Sequence, residues 1–438
     1  MSEYKSPIWH PYTQHAIAPE AIHIDRAAGA YLFARGKDNS DNPEDAPENE
    51  RCIIDGVSSW WVISHGHCHP DIVRAVQNQA AACDQVIFAG FTHEPAEELA
   101  EKLINITDDH LSNIFFSDSG STAVEVALKM AIGFWEHTGA PRRKIIAFEG
   151  GYHGDTFGTM SVGGRSIYHK LYQPYMFDVE YIPFPEEGKE SSCFDALEKI
   201  LKDNQDDIAA FIFEPLLQGA GGMRIYSPDV LKTISDMCRA QGILLIADEV
   251  MTGFGRTGTM FACEQASLIP DLLCLSKGLT GGFLSLGATL CSSAIYKAFY
   301  HKDKSKMFFH SSSFMGNPIS CAAANASLDI WEREPVLERT EQIAKSHADA
   351  ACQLSKRSDI NNIRQKGTML AMDIIVDDAG YLSNIQSELY SSLLSQDVLL
   401  RPLGNSLYIL PPYCSTGDDL DKIYCAINKT LNDVLHRV

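Results

Sequence analysis

The chain has 438 residues, 45% hydrophobic and 21% charged, enough apolar material for a large core and too much length for one simple layer. Its formal net charge of -21, with no Lys/Arg block, argues against nucleic acid or an anionic membrane as partner. The 12 cysteines show no C-x-x-C spacing, MSEYKSPIWHPY lacks a basic stretch followed by an apolar one, and runs such as GILLIA are far shorter than a bilayer needs. A reduced, cytoplasmic setting is expected.

Residues Gly36 to Glu50, GKDNSDNPEDAPENE, are acidic and without apolar period, which predicts a solvated loop with no chemistry. In HGHCHP, His65 to Pro70, three histidines and a cysteine crowd too closely to reach one tetrahedral ion without strain, so a loop before a helix start is expected and no metal. From about Ile53, short continuous apolar runs alternate with amphipathic helices: NIFFSD then STAVEVALKMAIGFWEH, RKIIAFE, AAFIFEP then SPDVLKTISDMCRAQG, GILLIADE and DLLCLS. Continuous hydrophobicity in the strands, with helices between, predicts a parallel sheet covered on both faces. One long helical stretch from Cys321 to Arg357, followed by strand-like AMDIIV and SLYILPP, suggests a second, smaller lobe.

In open parallel sheets ligands bind beyond the carboxyl ends of the strands, and four such ends here carry unusual residues. Ser117 to Thr122 lead with Gly120 and Ser121 into a helix, either as an ordinary cap or as a seat for a phosphate. FEGGYHGDTFG brackets Tyr152 and His153 with glycines, so an aromatic face can approach a flat ligand, though such loops often merely pack. Asp248 and Glu249 follow the run GILLIA at a strand mouth, where a carboxylate needs a cation or hydrogen bonds. Lys277 closes DLLCLS before the turn LTGG; a lysine desolvated there loses basicity and can form a Schiff base. A phosphate seat, a stacking aromatic, a carboxylate for a pyridinium proton and such a lysine are together what pyridoxal phosphate requires.

DSGS, GYHGDTFG, QGAGGM, ADEV with TGFGRTG, and SKGLTGG resemble the class III aminotransferases of fold type I, and IWHPYT with DGVSSWW the branch that aminates 8-amino-7-oxononanoate in biotin biosynthesis. The similarity runs from IWHPYTQ to RPLGNSLYILPPY. The resemblance implies an α/β fold with a mostly parallel central sheet in a large domain, 61–325, that binds pyridoxal 5'-phosphate. A smaller α+β domain spans 326–438, and a segment 1–60 contributes to that domain and to the substrate site. It implies catalytic roles for Lys277, which would hold the cofactor covalently, for Asp248 at the pyridine nitrogen and for Tyr152 on the ring; Gly120 and Ser121 would hold the phosphate. Tyr12, Trp60 and Tyr152 would shape the substrate slot, Arg401 would bind the carboxylate of the oxononanoate, and Asp155 and Arg256 would edge the same site. Where the family reads H-G-P-T-F, this chain has HSSSFMGNP, so Ser312 and Ser313 are the residues expected to reach the cofactor phosphate of the partner in a homodimer. The implied reaction runs in two half-reactions at one site with S-adenosylmethionine as donor; a class III relative using lysine or an ω-amino acid is the alternative.

Overall fold

The structure is a computed structural model that describes residues 6–35, 50–164, 169–204 and 206–435. The acidic stretch expected as a loop therefore lies, from 36 to 49, outside the described residues.

Seven strands form the central sheet, in the spatial order Leu111–Ser117, Gly287–Ser292, Leu272–Leu275, Leu244–Asp248, Ile208–Phe213, Lys144–Phe148, Glu180–Ile182. All run parallel except Gly287–Ser292, which pairs antiparallel with both neighbours. The runs are continuously apolar because both faces are buried. Phe211, Phe213 and Leu245 join one core layer, beneath the helices Glu94–Ile106, Glu190–Asp203, Pro228–Ala240 and Pro318–Arg333. Ala210, Ile212, Leu244 and Ile246 point the other way, to the helix Gly120–His137.

A separate core gathers Ile343, Leu389, Leu407 and Ile427 around a three-stranded antiparallel sheet of Ile360–Lys366, Met369–Ile374 and Ser406–Ile409. The N-terminal strands Ile24–Ala28, Tyr31–Ala34 and Arg51–Asp55 form a sheet that Val398–Leu399 completes, pairing parallel with Arg51–Asp55. Early and late chain thus meet at one wall.

The single long helix expected from Cys321 to Arg357 is two, Pro318–Arg333 and Val336–Leu354. Pro335 has no N–H for the ladder, and its ring drives Glu334 out of helical geometry, to φ -115° and ψ 151°. Among the described residues no helix is long and apolar enough to cross a membrane.

Candidate active site

The carboxyl ends of the sheet strands open onto a cavity of about 160 Å³ that holds Gly120, Ser121, Tyr152, Asp248 and Lys277 together, from segments up to 157 positions apart in sequence. Each is placed by local chemistry. Ser119 caps the helix Gly120–His137, its Oγ accepting from Thr122 N, while Thr122 Oγ1 accepts from the N–H of Asp118 and of Ser119. That box leaves the N–H groups of Gly120 and Ser121 at the positive helix end beside the cavity. Glycine is required twice here. A Cβ on Gly120 would stand 2.6 Å from Val250 Cγ1, and one on Gly154, at φ +131°, 2.1 Å from Ser121 Oγ. Gly120→Ala is expected to weaken cofactor affinity about tenfold or more by displacing those N–H groups, measured by equilibrium titration of the apo-protein.

Asp248 ends its strand buried. Its Oδ1 accepts from Val250 N at 3.1 Å and its Oδ2 lies 2.7 Å from His153 Nδ1. Burial disfavours a charge on His153, but the hydrogen bond and charge of Asp248, with Glu214 behind, outweigh it and raise its pKa above the usual histidine value. The carboxylate is thereby fixed in orientation. Its neighbour Glu249 faces away, accepting from Cys263 N and Thr252 Oγ1, and burial pushes it up to about 7.

Lys277 follows the strand Leu272–Leu275 and has φ +45°, a left-handed backbone that bends the side chain back over the strand end. Its neighbours clamp rather than loosen it: Ser276 Oγ donates to Leu286 O, and a Cβ on Gly278 would meet Ser64 Oγ at 3.0 Å. The amine sits 4.6 Å from the centre of the Trp61 ring. Burial lowers its pKa to about 8, although Asp248 and Glu214 pull the other way. Covalent capture of an aldehyde needs the neutral amine, so its rate in apo-protein should rise with pH around a midpoint near 8 rather than 10.5, as followed by visible absorbance.

Glu214, which sequence reasoning passed over as the end of AAFIFEP, lines the same cavity. Its Oε1 accepts from Tyr152 N at 3.0 Å and its Oε2 from Gly219 N at 2.9 Å, tying two loops together. The signal was the one used for Asp248, a carboxylate at the mouth of a buried strand. Trp61 of DGVSSWW and His153 of GYHGDTFG also line this cavity, although neither is among the expected site residues.

A second cavity of about 310 Å³ shares Trp61, Tyr152 and Lys277 with the first and adds Tyr12, Trp60, Asp155, Arg401 and Tyr408. Tyr12 and Tyr152 both donate their hydroxyls to Asp155, at 2.8 to 2.9 Å. Burial, chiefly, pushes the Tyr12 phenol up to about 12 and Tyr152 higher still, so both remain donors. Arg401 has its guanidinium carbon 5.0 Å from the Trp60 ring centre and donates only weakly to Tyr12 O, at 3.5 Å. No carboxylate of the described residues pairs with it.

Trp60 and Trp61 reach the cavities from an unusual turn. Ser58, Ser59, Trp60 and Trp61 have φ of 51°, 44°, 71° and 73°, one turn of left-handed helix closed by Trp61 N to Val57 O and Val62 N to Ser58 O. Such geometry costs L-residues roughly 1–2 kcal/mol each.

One expected group, Arg256, is not brought to these cavities, and another, Ser312 with Ser313, is expected at the cofactor site of a partner rather than here. Arg256 is buried behind the wall, its guanidinium donating to the carbonyls of Pro411, Trp61 and Ile63 and lying against Tyr413. Ser312 and Ser313 line neither cavity: Ser313 is exposed, and Ser312 Oγ is buried without a partner among the described residues. The histidines of HGHCHP part company, His65 toward Ser327, His67 toward Asp55 and His69 toward Glu334.

The inner cavity fits pyridoxal phosphate part by part: uncapped N–H groups for the phosphate, an oriented carboxylate for the ring nitrogen, an enclosed amine of lowered basicity for the aldehyde. A sequence model described as aminotransferase class-III matches residues 39–431. The chain is 44% identical to the adenosylmethionine-8-amino-7-oxononanoate aminotransferase of Synechococcus elongatus over 98% of its length and 99% of that protein's, and 36% identical to the Helicobacter pylori enzyme of that name over 98% and 96%. Among solved structures it is similar to the enzyme so named from Methanocaldococcus jannaschii, with a TM-score of 0.89, 32% identity and 97% of each chain covered. An amine transaminase from an uncultivated Pseudomonas species, solved in its PLP-bound form, matches with a TM-score of 0.89 at 30% identity, over 98% of this chain and 99% of that one. With a site of that shape and likeness over its whole length, the chain belongs to the class-III aminotransferases, enzymes of fold type I that work with pyridoxal 5'-phosphate.

Proposed function

We propose that the chain moves an amino group from S-adenosylmethionine to 8-amino-7-oxononanoate, giving 7,8-diaminononanoate for biotin biosynthesis, as a cytoplasmic homodimer. The observation that carries this reading is Arg401, a guanidinium without a carboxylate partner among the described residues, in the same cavity as Lys277. A planar fork of donors matches the carboxylate of a long oxo acid, and Tyr12, Trp60 and Tyr152 supply apolar wall for its alkyl chain. The donor carries a sulfonium cation, for which Asp155 and the faces of Tyr12 and Trp60 offer charge and π-surface.

Pyridoxal phosphate, when bound, supplies an electron-poor ring that accepts the electron pair freed at a substrate carbon and stores the amino group between half-reactions. The chain's own residues do the rest. The Lys277 amine would take a proton from the substrate carbon in one half-reaction and give it back in the other, and the burial that lowers its basicity in cofactor-free protein favours the neutral, proton-accepting form. Asp248, oriented by His153, would pair with the ring nitrogen and keep it protonated. Glu214 keeps the Tyr152 loop against the cavity, and Trp61 shields the amine from water on one side.

The homodimer is supported by the large apolar side chains left uncovered near the serine loop, Phe309 at 64% and Phe314 at 66% exposure, and by Ser312 and Ser313 lying outside the chain's own cavities. Sedimentation would check it.

Turnover is expected with S-adenosylmethionine and not with lysine or an ω-amino acid in its place; turnover with lysine alone as donor would contradict the assignment. Arg401→Met is expected to raise KM for the oxo acid about 30-fold or more with a smaller change in kcat, because a charge-assisted pair made equally in ground and transition states is lost.

A further inference from the structure

The left-handed turn Ser58–Trp61 needs something to hold it, and the groups that do so touch neither cavity. Asp55 is fully buried at the end of the strand Arg51–Asp55. Its Oδ1 accepts from Val57 N at 3.2 Å; its Oδ2 accepts from Ser59 Oγ at 2.8 Å and lies 2.9 Å from His67 Nε2. One carboxylate therefore grips the residue before the turn and the second residue within it. His67 is itself fixed, since its main chain exchanges hydrogen bonds with Gly29 at 3.1 and 2.7 Å. A further bond, Ser58 Oγ to Leu410 O at 2.7 Å, fastens the start of the turn to the strand end after Ser406–Ile409. Burial works against a charge on Asp55, but the hydrogen bonds of His67 and Ser59 outweigh it and keep the carboxyl below its usual range.

We propose that Asp55, braced by His67, is a positioning residue for both cavities: its carboxylate holds the left-handed turn and so sets Trp60 beside Arg401 and Trp61 beside Lys277. Without the carboxylate the turn relaxes toward ordinary backbone geometry and both indoles move together. Trp60 and Trp61 both line the outer cavity, which donor and acceptor occupy in turn, so the effect falls on the binding of both substrates.

The test uses Asp55→Asn and the milder Ser59→Ala, each compared with the parent by thermal melting. KM for both substrates should rise about tenfold in Asp55→Asn and about threefold in Ser59→Ala, with kcat changed by less than about threefold. The near-ultraviolet circular dichroism of the cofactor-free protein should change as well, and that change should vanish when the same substitution is made together with Trp60→Phe and Trp61→Phe. The spectral arm does not depend on which donor or acceptor the enzyme takes, so a wrong substrate assignment leaves it readable. A folded variant whose KM values or tryptophan spectrum match the parent overturns the proposal, as does a lowered melting temperature with neither readout moved. Should Asp55→Asn fail to fold, Ser59→Ala decides by the same two readouts.

Discussion

Lys277→Ala is expected to lower turnover by at least about 10³-fold, the upper range for loss of a positioned acid–base group, and to abolish the visible absorbance of lysine-bound cofactor. The fold should survive. In cofactor-free protein Lys277 has a pKa of about 8 against 10.5 when exposed, so between those values the unfolded chain binds more protons than the folded one. Its contribution is therefore most favourable above pH 10.5 and is lost as pH falls through about 8. Alanine removes that slope, so the variant should melt no lower than the parent near neutral pH. Retained turnover, or a collapsed melting curve, would refute the role.

Asp248→Asn keeps the shape of the strand end and removes its charge. Turnover is expected to fall about 10²- to 10⁴-fold, because a neutral amide holds no proton on the ring nitrogen. Two pKa changes should accompany the loss. His153 loses the partner that holds its pKa up, so burial drives it to the neutral form. Lys277 loses the foremost influence opposing burial, so its pKa should fall further, and the pH profile of cofactor capture should shift to lower pH. A profile that stays in place, with activity intact, would remove Asp248 from the site.

Much of this was legible in the residues because the strands are buried on both faces, which writes them as unbroken apolar runs whose ends can be counted. Asp248 and Lys277 stand out at such ends since a charged group there conflicts with its surroundings. Glu214 has the same signature in AAFIFEP, but the bonds that explain it run to Tyr152 and Gly219 in separate loops. Arg256 misled in the opposite direction. The resemblance puts it at the edge of the substrate site, whereas its donors are spent on carbonyls of Trp61, Ile63 and Pro411, a convergence that only the folded chain makes. The left-handed turn at Ser58–Trp61 was hidden for a related reason. No glycine marks it, and its cost is offset by a buried carboxylate three positions earlier.

Transfer of nitrogen from one named donor to one named acceptor is the central claim, and isotope labelling tests it most directly. With S-adenosylmethionine carrying a heavy-nitrogen label in its α-amino group and 8-amino-7-oxononanoate as acceptor, mass spectrometry should find the label in the diamine, one atom per molecule of product. Diamine formed without the label, or no diamine at all from a folded, cofactor-loaded enzyme, would contradict it.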